Sequence, residues 1–405
     1  MELGLYNNLS ILEPFITERR NTLVIGQQGT GKTSLLVRLA LNDIHNNLPV
    51  TFIDNGKGVD EILKYIPKQR QPDVILFDPA RFPFAFNILA NVQKDKRELL
   101  ASTILDTVKG VWGYENAPTP VLDQYFRGSL LTALSASDTS FLSLKFLLTN
   151  PSYRTQLLKY AHPILKDFWN DYETLTAKEQ RQALSSTLNK LQAFLFSPHV
   201  RNVLDQKDNR LLFKDKIVLV ALRTRELGTE NACLLGVLVL ASLYMADTPQ
   251  NLYLDGARYG TSILSKLLSD CPSVATVVAV QFLDQLRKEF QPHLIGGVGQ
   301  IVAFRTSSHD AEILQPDFHL DRNDPIGLNE LKWFTAYACI DGKTTTLKMP
   351  QHTYLETHQE RKIIDRCKSQ CTAPIASIEK RLDRFLAQPR RKRSKWRLNM
   401  IAKST

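Results

Sequence analysis

The chain is poor in cysteine and has no long hydrophobic run. Its five cysteines (Cys233, Cys271, Cys339, Cys367 and Cys371) are odd in number and scattered, which excludes a closed disulfide framework and points to a reducing compartment. Cys367 and Cys371 sit four residues apart at helical spacing, half of a zinc site, but no second pair or nearby histidine couple completes one. The N-terminal stretch "MELGLYNNLSILEPF" has neither the basic n-region nor the apolar h-region of a signal peptide. The longest apolar stretch, Ala232–Ala246, falls short of the ~20 residues that span a bilayer. No membrane span is expected, and that stretch reads as a buried helix. Internal repeats are absent as well.

What is present is an ordinary globular composition, 43% hydrophobic and 23% charged, with a net charge of +10. The charge is uneven. Arg390–Lys403 carries seven basic residues and no acidic one, so the body of the chain is nearly neutral. An anionic partner, nucleic acid or membrane surface, is implied for that end.

Periodicity divides the chain. "NTLVIG", "VTFID" and "VILFD" read as short buried strands, separated by helical patterns in "KTSLLVRLALNDIHNN" and "DEILKYI". This alternation predicts an α/β fold with a parallel sheet. From about Lys94 to Leu204 apolar residues recur three and four apart, as in an all-helical insertion. Strand patterns return at Lys216–Leu222, Gln250–Gly256, Val274–Gln281 and Gly299–Thr306, with helices expected between them, including "FLDQLRKEF", and an edge strand in "KTTTLKM". The expected organisation is a first core segment over 1–93, the insertion over 94–210, a second core segment over 211–350, and a helical segment with a basic tail over 351–405.

The chemistry is concentrated in "IGQQGTGKTS" (Ile25–Ser34), where Gly26, Gly31, Lys32 and Thr33 fit the spacing G-x-x-x-x-G-K-[ST]. A strand must turn sharply into a helix while its backbone N–H groups face one anion; glycines allow the turn and the helix N-terminus adds its dipole. The cradle would comprise Gly26, Gln28, Gly29, Thr30, Gly31, Lys32, Thr33 and Ser34 around the phosphates of ATP. Lys32 would reach the β- and γ-phosphates, and the Thr33 hydroxyl would hold Mg²⁺. A chance match occurs in roughly 1–2% of chains this long, but this match also lies between a strand and a helix, as the mechanism requires. A P-loop also needs an acidic group for the metal. Asp54, Asp78 and Asp255 each end a strand pattern. Asp255 is the best candidate; Asp78, which precedes proline, reads better as a turn cap, and Asp54 reads either way.

The layout resembles the FtsK–HerA superfamily of DNA-pumping ATPases, and within it the conjugative coupling proteins and type IV secretion ATPases. The resemblance is carried by "VIGQQGTGKTSLL", "FDPARFPFAFNIL", "FWNDYETL…STLNKLQAFLFSPHVRNVL", "NLYLDGARYG", "VVAVQFLDQL" and "VGQIVAFRTSSHDAEIL", and it covers roughly Asn21 to Met349. It implies a RecA-like core with a helical domain inserted, assembled as a hexamer with ATP between neighbours and DNA in the pore. By position it assigns the P-loop roles to Lys32 and Thr33 and the metal-associated carboxylate to Asp255. Gln281 becomes the glutamine that senses the γ-phosphate or faces the channel, and Arg305 an arginine reaching a phosphate across a subunit boundary. Read without the resemblance, Gln281 is a polar strand end and Arg305 a surface ion pair.

Two departures stand out. Gly256 occupies the place of the family's usual glutamate, the group that positions the attacking water, and Pro272 stands near the place of a frequent arginine. Loss of a positioned base costs ~10²–10⁴ in rate, so ATP binding is expected and fast hydrolysis needs another carboxylate, Asp54 or Glu226. With only about twenty residues before the loop, the chain has no room for the relatives' membrane helices. A cytoplasmic protein is expected, recruited to the inner membrane face by secretion or conjugation partners. In the tail, Arg390, Arg391, Lys392, Arg393, Lys395 and Arg397 surround Trp396. Such a run binds DNA phosphates without sequence preference, and Trp396 would stack on a base; a solvated end or an anionic membrane contact are the other readings. The functions that remain are a DNA-translocating ATPase, a nucleotide-binding subunit that hydrolyses slowly and, weakest, a small-substrate kinase.

Overall fold

The computed structural model describes residues 20–114, 117–256, 261–318, 327–349 and 354–386. The basic tail and its nucleic-acid candidates, Arg390 to Arg397, lie outside the described residues. The chain divides into two compact units. Among the described residues one takes 20–84, 106–114 and 210–372, and the other 85–105, 117–209 and 373–386.

The first unit is built on a sheet. Thr22–Ile25 forms β1, Lys32–His45 α1, Val50–Asp54 β2, Lys57–Lys64 α2 and Val74–Phe77 β3. After the helices of the second unit come β4 (Ile217–Ala221), α10 (Thr224–Leu227), α11 (Thr229–Ala246), β5 (Gln250–Asp255), α12 (Thr261–Asp270), β6 (Val274–Val280), α13 (Gln291–Gly297), β7 (Gln300–Phe304) and α14 (Ser308–Leu314). The hairpin β8 (Thr335–Ile340) and β9 (Lys343–Lys348) and the helix α15 (Glu360–Cys371) follow. The strands lie in the order β3-β4-β2-β5-β6-β1-β7-β8-β9. The first seven are parallel, and β8 and β9 add antiparallel to the β7 edge.

Strands buried on both faces explain why β1 to β4 read as unbroken apolar runs rather than alternating ones. Each buried Leu, Ile or Val contributes about 1.5–3 kcal/mol, which fixes the register of the central strands. Helix α11 is long and apolar enough to span a membrane by length and composition, slightly longer than the apolar run alone. Its residues from Leu234 to Leu243 are all buried, as in a core helix that is apolar all round.

Two departures from the sequence expectations have visible causes. "FLDQLRKEF" is not a continuous helix: Leu283–Gln285 forms one 3₁₀ turn, and α13 begins only at Gln291. Leu283, Leu286 and Phe290 are buried at spacings of three and four, which imitates helical periodicity. The local polar groups are taken by side chains instead. The Leu283 N–H donates to Asp310 Oδ1, and the Gln291 amide donates to the Leu283 and Leu286 carbonyls. Strand β8, not expected from the sequence, carries the short apolar run Ala336–Ile340 and pairs with β7 on one side and β9 on the other.

The second unit is helical. Arg97–Val111 (α3) contributes to both units. Pro120–Ser135 (α4), Phe141–Thr149 (α5), Pro151–Leu158 (α6), Pro163–Thr174 (α7), Ala177–Phe196 (α8), Pro198–Leu204 (α9) and Ile375–Leu386 (α16) make up the rest. Proline at the first helical position starts α4, α6, α7 and α9, and the Thr176–Glu179 capping box starts α8. The core centres on Trp169, fully buried, whose Nε1 donates to Thr132 Oγ1 at 2.9 Å.

Candidate functional site

In a parallel sheet the C-terminal strand ends share one edge, so side chains far apart in sequence meet there. Here that edge gathers the turn after β1, Asp54 at the end of β2, Asp255 at the end of β5, Gln281 after β6 and Arg305 after β7. A cleft of about 410 Å³ opens over it, within the range of small-ligand sites. Gln28, Gly29, Lys32, Thr33, Asp54 and Asp255 line it together with Gln281.

The loop is held open by neighbouring strand ends. The Gly26 N–H donates to the Val280 carbonyl at 3.2 Å, and the Gln27 N–H to the Arg305 carbonyl at 2.7 Å. A Cβ on Gly26 would come 2.6 Å from Phe304 Cβ, so the close approach of β7 requires glycine there. Thr30 Oγ1 donates to the Gln27 carbonyl at 2.8 Å and closes the loop on itself. Ser34 is exposed at the start of α1, and the N-cap is Gly31, without a side-chain cap. The N-terminal N–H groups of α1 therefore have no side chain competing with an incoming anion.

Lys32 is 7% exposed. Its Nζ donates to the Gly26 and Gln27 carbonyls at 2.6 and 2.9 Å. Burial pushes its pKa below the ordinary lysine value, partly offset by the Asp255 carboxylate. Thr33 Oγ1 donates to Asp255 Oδ2 at 2.5 Å. Burial pushes the Asp255 carboxyl up, against the Thr33 hydrogen bond and the Lys32 charge. A hydroxyl and a carboxylate oxygen facing a cleft are hard ligands of the kind Mg²⁺ takes, so Thr33 and Asp255 fit the metal that the sequence implies.

Asp54 is 2% exposed, and its two oxygens accept from the Gly56 and Gly58 N–H groups at 2.7 and 2.5 Å. Burial pushes its carboxyl up to about 7, against these backbone hydrogen bonds and with a smaller push from Asp255. Its oxygens are thus turned to its own loop, which removes it as a free substitute for the missing glutamate. Glu226, the other candidate, is exposed and does not line the cleft. Asp78 is not simply a turn cap. Its carbonyl accepts from the Arg81 and Phe82 N–H groups, while its buried carboxylate pairs with Arg223 at 3.0 Å and Arg81 at 3.4 Å.

Gln281 lines the cleft, and its backbone N–H donates to Gln285 Oε1 at 2.8 Å. Arg305 meets the loop through its carbonyl. Among the described residues its guanidinium has no ion-pair or hydrogen-bond partner, and its Nε is buried, which does not match the surface ion-pair reading. Gly256 lines the cleft with φ +104°, and a Cβ there would meet nothing within 4 Å. Sequence reasoning missed Asn55, Lys57, Thr224 and Gln285, which add further polar groups to the lining. Thr224 is fixed by Asn55 Oδ1, which accepts from its N–H at 2.8 Å and its hydroxyl at 3.0 Å. The available signal was positional: Asn55 directly follows β2, and Thr224 opens the helix three residues past the end of β4.

No protein-family model matches this sequence, and no curated protein matches it either. Solved structures do. The unbound bacterial conjugative coupling protein TrwBdeltaN70 superposes with a TM-score of 0.60 at 14% identity, over 86% of this chain and 89% of that one. The plasmid coupling protein TrwB in complex with the non-hydrolysable GTP analogue GDPNP gives 0.60 at 15%, over 85% and 88%. VirB4 of Thermoanaerobacter pseudethanolicus gives 0.60 at 11%, over 82% and 89%. The chain therefore has the RecA-like α/β fold of the coupling protein TrwB and of VirB4, the fold that the resemblance in its sequence implies.

Proposed function

We propose that the chain is an ATP-driven DNA-transfer motor of the conjugation and type IV secretion type. The observation that carries this is the meeting of Thr33 and Asp255, 222 positions apart, at 2.5 Å over a cleft that also holds Lys32. In this reading the Gln28–Ser34 backbone and Lys32 bind the phosphates of ATP, and Thr33 and Asp255 would hold Mg²⁺, which would supply positive charge beside the phosphates. Lys32 gives up its two carbonyl contacts and moves onto the phosphate. Gln281, at the same strand edge, orients the γ-phosphate or the water that attacks it. Phosphoryl transfer of this kind rests on positioning and charge stabilisation. Likeness to the coupling-protein fold supports a hexamer with DNA in its pore, Arg305 acting across the subunit boundary, the basic tail as a DNA contact, and a cytoplasmic site of action at the secretion or conjugation machinery.

One observation favours a second reading, a nucleotide-binding assembly subunit with slow hydrolysis. Where the motor family carries glutamate, this chain has Gly256, and of the carboxylates lining the cleft Asp54 is bonded to backbone and Asp255 to Thr33. ATP turnover of the purified protein, with and without DNA, separates the two. The motor reading expects DNA-stimulated turnover that is lost in Lys32→Ala. Unstimulated, slow turnover that rises in Gly256→Glu supports the second.

A further inference from the structure

We infer that Trp333 and Phe334 form the platform on which the purine ring of the bound nucleotide stacks. This rests on the nucleotide reading above and gives the same site a second half.

The two rings stand directly on the phosphate loop. A Cβ placed on Gly29 would come 3.3 Å from Trp333 Cζ3, and one on Gly31 3.1 Å from Phe334 Cδ1. The Phe334 N–H donates to the Thr30 carbonyl at 3.1 Å, and its own carbonyl accepts from the Met349 N–H at 2.8 Å. This two-residue segment is therefore bound to the tip of the loop by backbone as well as ring contacts. Even so, Trp333 is 55% exposed and Phe334 50%. Two large aromatics exposed side by side make a contiguous apolar surface, which carries more information than a single exposed ring. Phe334 also has φ +60°, a left-handed conformation uncommon for a bulky residue. Strain of this kind persists where the surroundings over-determine it, and it gathers at ligand clamps.

The sheet order gives the direction. Asp255 and Gln281 follow β5 and β6, on one side of β1; Trp333 and Phe334 lead into β8, on the other side, beyond β7. A triphosphate with its γ end towards the Asp255 side presents its nucleoside towards the β7 and β8 side. The lining on the γ side is polar, with Asp54, Asn55, Thr224, Gln281 and Gln285. Trp333 and Phe334 supply the exposed planar surface against the loop. Phe282, also exposed at 45%, follows β6 at the γ side and serves as the control. A ring face reads no hydrogen-bonding edge, so adenine and guanine are expected to stack alike.

The test is binding of ATP, GTP and inorganic tripolyphosphate, each with Mg²⁺, to the wild-type chain and to Trp333→Ala, Trp333→Phe, Phe282→Ala and Lys32→Ala. Trp333→Ala is expected to weaken ATP and GTP about tenfold and to leave tripolyphosphate unchanged, which also shows that the variant is folded. Trp333→Phe retains most of the affinity, Phe282→Ala all of it, and the tryptophan quench caused by ATP in the wild type is lost in Trp333→Phe. The platform is overturned if Trp333→Ala binds ATP like the wild type, or if it loses ATP and tripolyphosphate equally. It is overturned too if that variant keeps ATP and loses DNA instead, which makes the pair a DNA contact. If the wild type binds none of the three compounds, or Lys32→Ala binds all three unchanged, the cradle itself fails and the platform with it.

Discussion

Both units bury a cation, and they treat it in opposite ways. In the helical unit Arg154 is 3% exposed and fully engaged. It pairs with Glu173, donates to the Leu147 carbonyl, and lies 4.9 Å from the ring centroids of both Trp169 and Tyr172. In the sheet unit Lys32 is nearly as buried, but it faces a cleft of about 410 Å³ in which burial also pushes the Asp255 and Asp54 carboxyls up. A buried charge packed on every side is architecture. A buried charge kept beside open volume, with its neighbours' protonation shifted, is poised for a ligand of complementary charge. The same contrast separates the aromatics: Trp169 is fully enclosed, whereas Trp333 lies half exposed against the loop.

The sharpest way to break this contrast is to empty each centre. Trp169→Ala removes the middle of the helical core and is expected to cost about 3–5 kcal/mol of stability, read from the urea midpoint. In Lys32→Met the order reverses. Turnover falls by about 10²–10³ while the thermal midpoint is unchanged or rises, because a desolvated ammonium is gone. A drop in stability there would make Lys32 a structural residue like Arg154.

Asp54 gives a graded test. Its folded pKa, about 7, lies above the ordinary value of 3.8, so between those pH values the folded chain binds a proton that the unfolded chain does not. Its contribution to stability is full below about pH 4 and is lost as the pH rises through about 7. Urea midpoints measured across that window are expected to fall with rising pH in the wild type and to fall less in Asp54→Asn. The smallest effect belongs to Gly256→Ala. With φ +104° and open space around the new Cβ, only backbone strain is added, about 1 kcal/mol, seen as a small shift of the urea midpoint at constant slope.

Much of the sheet was legible because strands buried on both faces must be continuous apolar runs, and because the glycine spacing at Gly26 and Gly31 has one mechanical use. Asp255 was legible for the same reason, as a carboxylate ending such a run. The rest depends on convergence that no local pattern records. Asn55 and Thr224 reach the cleft only because β4 lies beside β2. Trp333 reaches the loop because the β8–β9 hairpin adds to the far side of β7. The segment after β6 misled because a 3₁₀ turn followed by a loop spaces Leu283, Leu286 and Phe290 as a helix would. Asp54 and Asp78 look alike in sequence, each ending an apolar run. Their roles are set by what faces them: two backbone N–H groups for one and two arginines for the other.

On the proposed reading, Lys32 and Asp255 close on one magnesium-bound nucleotide. Calorimetric titration with ATP and Mg²⁺ tests it most directly, on the wild type, Lys32→Ala and Asp255→Ala. Saturable uptake by the wild type is predicted, lost in Lys32→Ala and no longer strengthened by Mg²⁺ in Asp255→Ala. No uptake by the wild type, or equal uptake by all three proteins, would contradict it.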